Sequence, residues 1–153
     1  VNMDAGKTRE VLRALIRQGK KPRAIYLVHY GGRPVQMEPF FELAKEFKVQ
    51  IVEDAAHALG ARCQDSRGRS YNVGACKFSD MAVFSFHPVK IITTGEGGMV
   101  LTNKEDLYQK LTRLRTHLSY LVRVHNFYLI MLHRYLSLIS CMWFRYLPFY
   151  CCQ

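Results

Sequence analysis

Apolar and polar positions along the first 117 residues trade off in a way that predicts helices and strands in turn. Val11, Leu12, Leu15 and Ile16 recur at three- and four-residue spacing, so this stretch reads as a helix that Thr8 caps and Gly19 ends. The short apolar run over residues 24–28 predicts a buried strand, and Gly31-Gly32 a turn. Residues 37–47 return to a helical period, with Phe40, Phe41, Ala44 and Phe47 inward and Glu42 and Glu46 outward. A second strand is predicted over 49–52, stopping at Glu53-Asp54, and the polar, glycine-containing stretch 64–70 reads as a surface loop. A third strand over 81–86, a fourth over 99–102 and a helix over 104–115 complete the pattern. Strands alternating with helices of this length predict an α/β sheet, partly parallel, joined by right-handed crossovers. No internal repeat is visible.

Composition changes near His117. Residues 118–153 contain no Ala, Gly, Lys, Asp or Glu, and all ten glycines fall at or before Gly98. Neither a helical nor a strand period organises this tail. Arg123, Arg134 and Arg145 break it into uncharged stretches of at most ten residues. A spanning helix needs about 20 mostly apolar residues, so no membrane span is predicted. The tail is expected to be foreign to what precedes it, a frameshift or read-through segment. Val1 is not an initiator methionine, and the chain is expected to be an internal piece of a longer protein.

The formal net charge is +10, from 22 Lys plus Arg against 12 Asp plus Glu. Such an excess suggests a nucleic-acid or membrane partner only where the basic residues cluster. The densest cluster is Lys20-Lys21-Pro22-Arg23, on a helix-to-strand turn, so no nucleic-acid partner is expected. The cysteines number five and follow no CxxC spacing, and no secretory signal pattern opens the chain. A reducing cytoplasm is the expected compartment. His57, Cys63, Cys76 and His87 match no common zinc spacing and are read as two core thiols and two unrelated histidines, with no metal expected.

In open α/β sheets chemistry collects at the carboxyl ends of strands. Asp54 emerges there as either a carboxylate needing a partner or the cap of a turn beginning at Ala55. Lys90 is either a partly desolvated amine, nucleophilic toward a carbonyl, or a solvated loop lysine. Ser85 can bind a phosphate or simply bond backbone. Gly95-Glu96-Gly97-Gly98 lacks the GxGxxG spacing, no GxxxxGK[ST] occurs, and the glycines are expected to turn the chain back into the sheet.

In this order, EDAAHALGA (53–61), SDMAVFSFHPVK (79–90) and TTGEGGMVLTN (93–103) resemble the signature of the DegT/DnrJ/EryC1/StrS sugar-aminotransferase family. The resemblance covers about residues 1–117, including Val28-His29-Tyr30-Gly31-Gly32. It implies a pyridoxal-phosphate-dependent transferase of fold type I, aspartate-aminotransferase-like, with a mostly parallel sheet flanked by helices. Residues 1–117 would be a partial cofactor-binding large domain, and 118–153 a hydrophobic tail unlike the family. Lys90 would bond to pyridoxal 5'-phosphate and later shuttle a proton. Asp54 would pair with the pyridine nitrogen, His57 would lie near the phenolic oxygen, and Ser85 would donate to the phosphate. Lys90 stands where the related dehydratases carry His.

Residues 79–98 look most like members that aminate C4 of a UDP-linked 4-keto-6-deoxy-hexosamine on the pseudaminic-acid route. Glutamate is the implied donor, leaving as 2-oxoglutarate, and the full-length parent is implied to be a cytoplasmic homodimer. The family's upstream phosphate-binding loop has no counterpart here. Where the family continues with Gly and a substrate-facing loop, this chain has Leu118-Ser119-Tyr120. An open sheet without its flanking elements is expected to be an inactive fragment. The alternative expectation is a non-catalytic interaction or membrane-surface module that works through the tail.

Overall fold

The computed structural model describes residues 2–117 and 149–151. Helix α1 (Ala5–Arg17) begins one turn earlier than the cap assigned to Thr8 implies. Asp4 is the cap: its carboxylate accepts from the Lys7 N–H at 2.8 Å, and Thr8, inside the first turn, donates its hydroxyl to the Asp4 carbonyl at 2.7 Å. A carboxylate wins this position because it satisfies an orphan N–H and also meets the positive end of the helix dipole.

Strands β1 (Ala24–Val28) and β2 (Gln50–Asp54) pair in parallel across helix α2 (Met37–Phe47). A three-residue 3₁₀ segment, Tyr30–Gly32, lies between β1 and α2 where the turn was expected. Met37, Phe40, Leu43 and Ala44 form the buried face of α2. Leu43 joins this face unforeseen, while Phe41 and Phe47, expected inward, are half-buried against the same core, the Phe41 ring centroid 5.5 Å from that of Phe78. Burying Phe40 and Leu43, both nearly inaccessible, contributes about 1.5–3 kcal/mol each. They pack with Leu27 and Ile51, which is what holds α2 against the β1–β2 pair.

The polar stretch expected as a loop instead closes a small hairpin, β3 (Arg62–Gln64) against β4 (Ser70–Asn72). Its strands are too short and too polar to show an apolar alternation; Cys63 alone among β3 and β4 is buried. What shapes the hairpin is Asp65. Its inaccessible carboxylate accepts from the N–H groups of Arg67 and Arg69 at 3.0 and 2.8 Å, from Arg69 Nε at 2.8 Å and from Lys77 Nζ at 2.8 Å.

Strand β5 (Met81–Ser85) continues the parallel half beside β2, and β6 (Gly98–Leu101) returns antiparallel to β5. Helix α3 (Glu105–His117) follows, and β7 (Phe149–Cys151) pairs antiparallel with β6, giving the order β1-β2-β5-β6-β7. The α/β sheet flanked by helices is thus as expected. Central β2 buries Ile51, Val52 and Glu53 in succession, whereas β1 alternates exposed and buried, as a strand does with only one face covered. Apart from residues 149–151, the readings placed on the tail lie outside the described residues. Among the described residues no helix is long and apolar enough to cross a membrane.

Contact with Lys77, then the donors of Arg69 and Arg67, holds the Asp65 carboxyl well below its ordinary value near 3.8, against the opposing effect of burial. A depressed carboxylate stabilises the fold above its unfolded value and loses that contribution as pH falls through its folded one. Asp65→Asn is therefore expected to be less stable than the unaltered chain at neutral pH. The difference should shrink below about pH 4, read as urea midpoints across a pH series.

Candidate functional site

The carboxyl ends of β1, β2 and β5 lie side by side, and each delivers a polar residue. Asp54 ends β2. Its backbone is gripped from both neighbours: the His29 N–H donates to its carbonyl at 3.0 Å, and the Ala55 N–H donates to Val83 of β5 at 2.8 Å. Its half-buried carboxylate accepts from the Ala56 N–H at 3.1 Å through Oδ1. This is the capping use foreseen for Asp54, realised as a two-residue Asx turn and not as the start of a helix. Among the described residues Oδ2 has no hydrogen-bond partner, so the group still has an acceptor to offer.

Ser85 ends β5, and its hydroxyl oxygen receives the His87 N–H at a long 3.5 Å. The chain then loops out and is drawn back at its base, with Phe86 N–H on the Gly97 carbonyl at 2.9 Å and Thr94 N–H on the Phe86 carbonyl at 3.0 Å. Gly95, at φ +79°, makes the reversal that the glycine run was expected to make. Lys90 sits in this loop half-buried, between Val89 and Ile91, which are 74% and 62% exposed. Its Nζ lies 2.9 Å from Nε2 of exposed His57. An ammonium at Lys90 donates to that nitrogen, which places the His57 ring proton on Nδ1. The strand ends thus gather an amine, an imidazole, a carboxylate and a hydroxyl, with His57 and Lys90 in direct contact.

Beneath them lies a pair that the sequence reading passed over. His29 is 1% exposed and Glu53 4%, and His29 Nε2 is 2.9 Å from Glu53 Oε2. His29 Nδ1 accepts from the Val35 N–H at 3.0 Å, and the Ser79 hydroxyl donates to Glu53 Oε1. The available signal was an acid inside an apolar strand, since a buried carboxylate demands a partner. Gly32 was also undervalued. At φ +81° its Cα faces the His57 carbonyl so closely that a Cβ would sit 2.6 Å from that oxygen.

His57, Cys63, Cys76 and His87 do not converge, and among the described residues no three of His, Cys, Asp and Glu form a set able to hold a metal. Cys63 and Cys76 are buried free thiols. Burial, more than any neighbour, pushes the Cys76 thiol up to about 12 and raises Cys63 as well. Both are protonated core groups at neutral pH.

The family model for the DegT/DnrJ/EryC1/StrS aminotransferases matches residues 7–130. A UDP-4-amino-4,6-dideoxy-N-acetyl-beta-L-altrosamine transaminase from Campylobacter jejuni is 39% identical over 103 residues, covering 67% of this chain and 26% of that protein. GDP-perosamine synthase from Caulobacter vibrioides is 41% identical over 114 residues, covering 74% of this chain and 27% of the relative. Among solved structures, a Helicobacter pylori aminotransferase involved in the biosynthesis of pseudoaminic acid superposes with a TM-score of 0.60 at 35% identity, over 76% of this chain and 28% of that one. The chain therefore spans about a quarter of the length of these relatives.

Gly32→Ala is expected to destabilise by about 2 kcal/mol or more, because left-handed backbone and a backbone clash act together. Gly31→Ala, at φ +60° with nothing within 4 Å of the added carbon, should cost about 1–2 kcal/mol. Chemical denaturation of the two variants side by side measures the difference.

Proposed function

Since this chain belongs to the DegT/DnrJ/EryC1/StrS aminotransferase family, we propose that residues 1–117 are part of the cofactor-binding large domain of an enzyme that aminates a nucleotide-linked keto-sugar. The observation that supports this reading most is the contact of Lys90 with His57 at the mouth of the parallel strands, beside Asp54 and Ser85. Pyridoxal phosphate, the cofactor of the family, needs an amine for its aldehyde, an anion for its pyridine nitrogen and donors for its phosphate. The groups present fit that list. Lys90 supplies the amine, Asp54 keeps a carboxylate oxygen unused among the described residues, and Ser85 supplies a hydroxyl. The bound group would supply an aldehyde carbon to carry nitrogen and a ring to take up electrons.

The chain's own residues then have separable tasks. Asp54, held by backbone bonds on both sides, keeps a negative charge fixed where a pyridinium N–H would donate. Lys90 would hold the cofactor through Nζ, and its amine is the group placed to carry a proton at the reacting centre. His57 Nε2 receives the Lys90 N–H in the free site, which holds the amine at the strand ends. Ser85 Oγ donates toward phosphate.

The keto-sugar is proposed to be UDP-linked, 4-keto and 6-deoxy, as for the altrosamine transaminase, with glutamate as donor and a cytoplasmic homodimer as the full-length form. Turnover is proposed to need the rest of the length that the relatives possess.

Reducing a mixture of the full chain and pyridoxal phosphate with borohydride, then mapping the labelled peptide, tests the site. The expected label is at Lys90, absent in Lys90→Ala. Asp54→Asn should keep the label but bind the cofactor about tenfold more weakly, the loss of one charge-assisted hydrogen bond. Label scattered over surface lysines would overturn the assignment.

A further inference from the structure

His29 sends three groups in three directions. Its N–H donates to the Asp54 carbonyl, and its own carbonyl accepts from the Gly32 N–H at 3.0 Å, the residue packed on the His57 carbonyl. Its ring spans from the Val35 N–H to Glu53, the residue just before Asp54. The backbone of His29 thus bonds directly under Asp54 and to the residue packed on His57, while its ring pins that backbone between Val35 and Glu53.

The ring has one protonation state compatible with these bonds. A backbone N–H can only donate, so Nδ1, which receives the Val35 N–H, carries no proton. Nε2 must then hold the ring hydrogen and donate it to Glu53 Oε2. Protonating Nδ1 would set two donors against each other inside the core. The Ser79 hydroxyl fills the other carboxylate oxygen.

We propose that His29, fixed as the neutral Nε2–H tautomer between Val35 and Glu53, is a positioning residue that sets Asp54 and the backbone against His57. The inference rests on the reading of these strand ends as a cofactor site for its ligand measurement, but not for its structural ones. His29→Leu combined with Glu53→Met fills similar volume and leaves no buried charge, at the cost of the acceptor for the buried Val35 N–H. The double variant in the full chain is expected to stay folded with a lowered melting temperature, reflecting the unpaired Val35 N–H. Its Ala56 amide, protected by the Asp54 carboxylate, should exchange with deuterium about tenfold faster and its pyridoxal phosphate binding weaken about tenfold, as for one misplaced charge-assisted contact. Exchange of the Leu43 amide in α2 should stay unchanged.

Glu53→Gln retains an acceptor for a neutral His29 and a donor for Ser79, so it should keep Ala56 protection. It also decides the matter if the double variant fails to fold, because an imidazolium would lose its counter-charge and the protection with it. Long-range proton–nitrogen spectra of His29 should show the hydrogen on Nε2. Unchanged Ala56 exchange in the folded double variant, lost protection in Glu53→Gln, or a proton on Nδ1 would each overturn the proposal. Failure of the unaltered chain to take up pyridoxal phosphate would instead count against the proposed function, with exchange and ring-proton measurements still deciding the role of His29.

Discussion

A carboxylate in the middle of a parallel sheet is costly unless every lone pair it turns inward is met. Glu53 is such a group, and the architecture at the carboxyl ends of β1, β2 and β5 follows from the way it is met. Leu27 pairs with Glu53 across the strands, so His29, just past the end of β1, reaches the carboxylate diagonally, and the next residues turn sharply enough to bring the Val35 N–H onto the far side of the ring. Ser79 must precede β5 closely enough to reach the second oxygen. Satisfying one buried charge thus constrains where β1 ends and where β5 begins. The residues that emerge at those ends are the ones with chemistry to offer.

The division of labour at the site is consistent with this. Groups beneath the strand ends are buried, fully bonded and fixed, whereas Lys90 and His57 are partly or largely exposed and touch each other. A rigid lower layer under an accessible upper layer suits a site that must hold one group still while another moves a proton. The flanking Val89 and Ile91 have apolar surface open among the described residues, so Lys90 is not enclosed by its own loop.

Much of the fold was legible because its signals are local. The run at 24–28, the helical period at 37–47 and the glycine reversal at 95 each declare themselves within a few residues, and the structure has β1, α2 and the turn where those signals lie. The misses share the opposite property. Asp4 outcompetes Thr8 because of which N–H each side chain reaches, and the β3–β4 hairpin is organised by a carboxylate bonded to Arg67, Arg69 and distant Lys77. Leu43 completes the buried face of α2, and Phe41 packs at the edge of that core beside Phe78, far along the chain. At the site, Asp54, Ser85 and Lys90 stood out by motif. Glu53 and His29 looked like ordinary parts of strands, since only the β1–β2 register makes them partners.

The mixed direction of the sheet has a kinetic side. Ser85 pairs with Gly98 in an antiparallel connection, so the loop bearing Lys90 closes over a short span of chain. Asp54 reaches its place only when β2 pairs with both β1 and β5, contacts separated by much longer stretches. Chain-closure entropy grows with that separation. The amine is carried by the segment with the smaller closure penalty, lower by about 0.6 kcal/mol for each halving of the span. Assembly of the pair is accordingly limited by the carboxylate's side of the sheet.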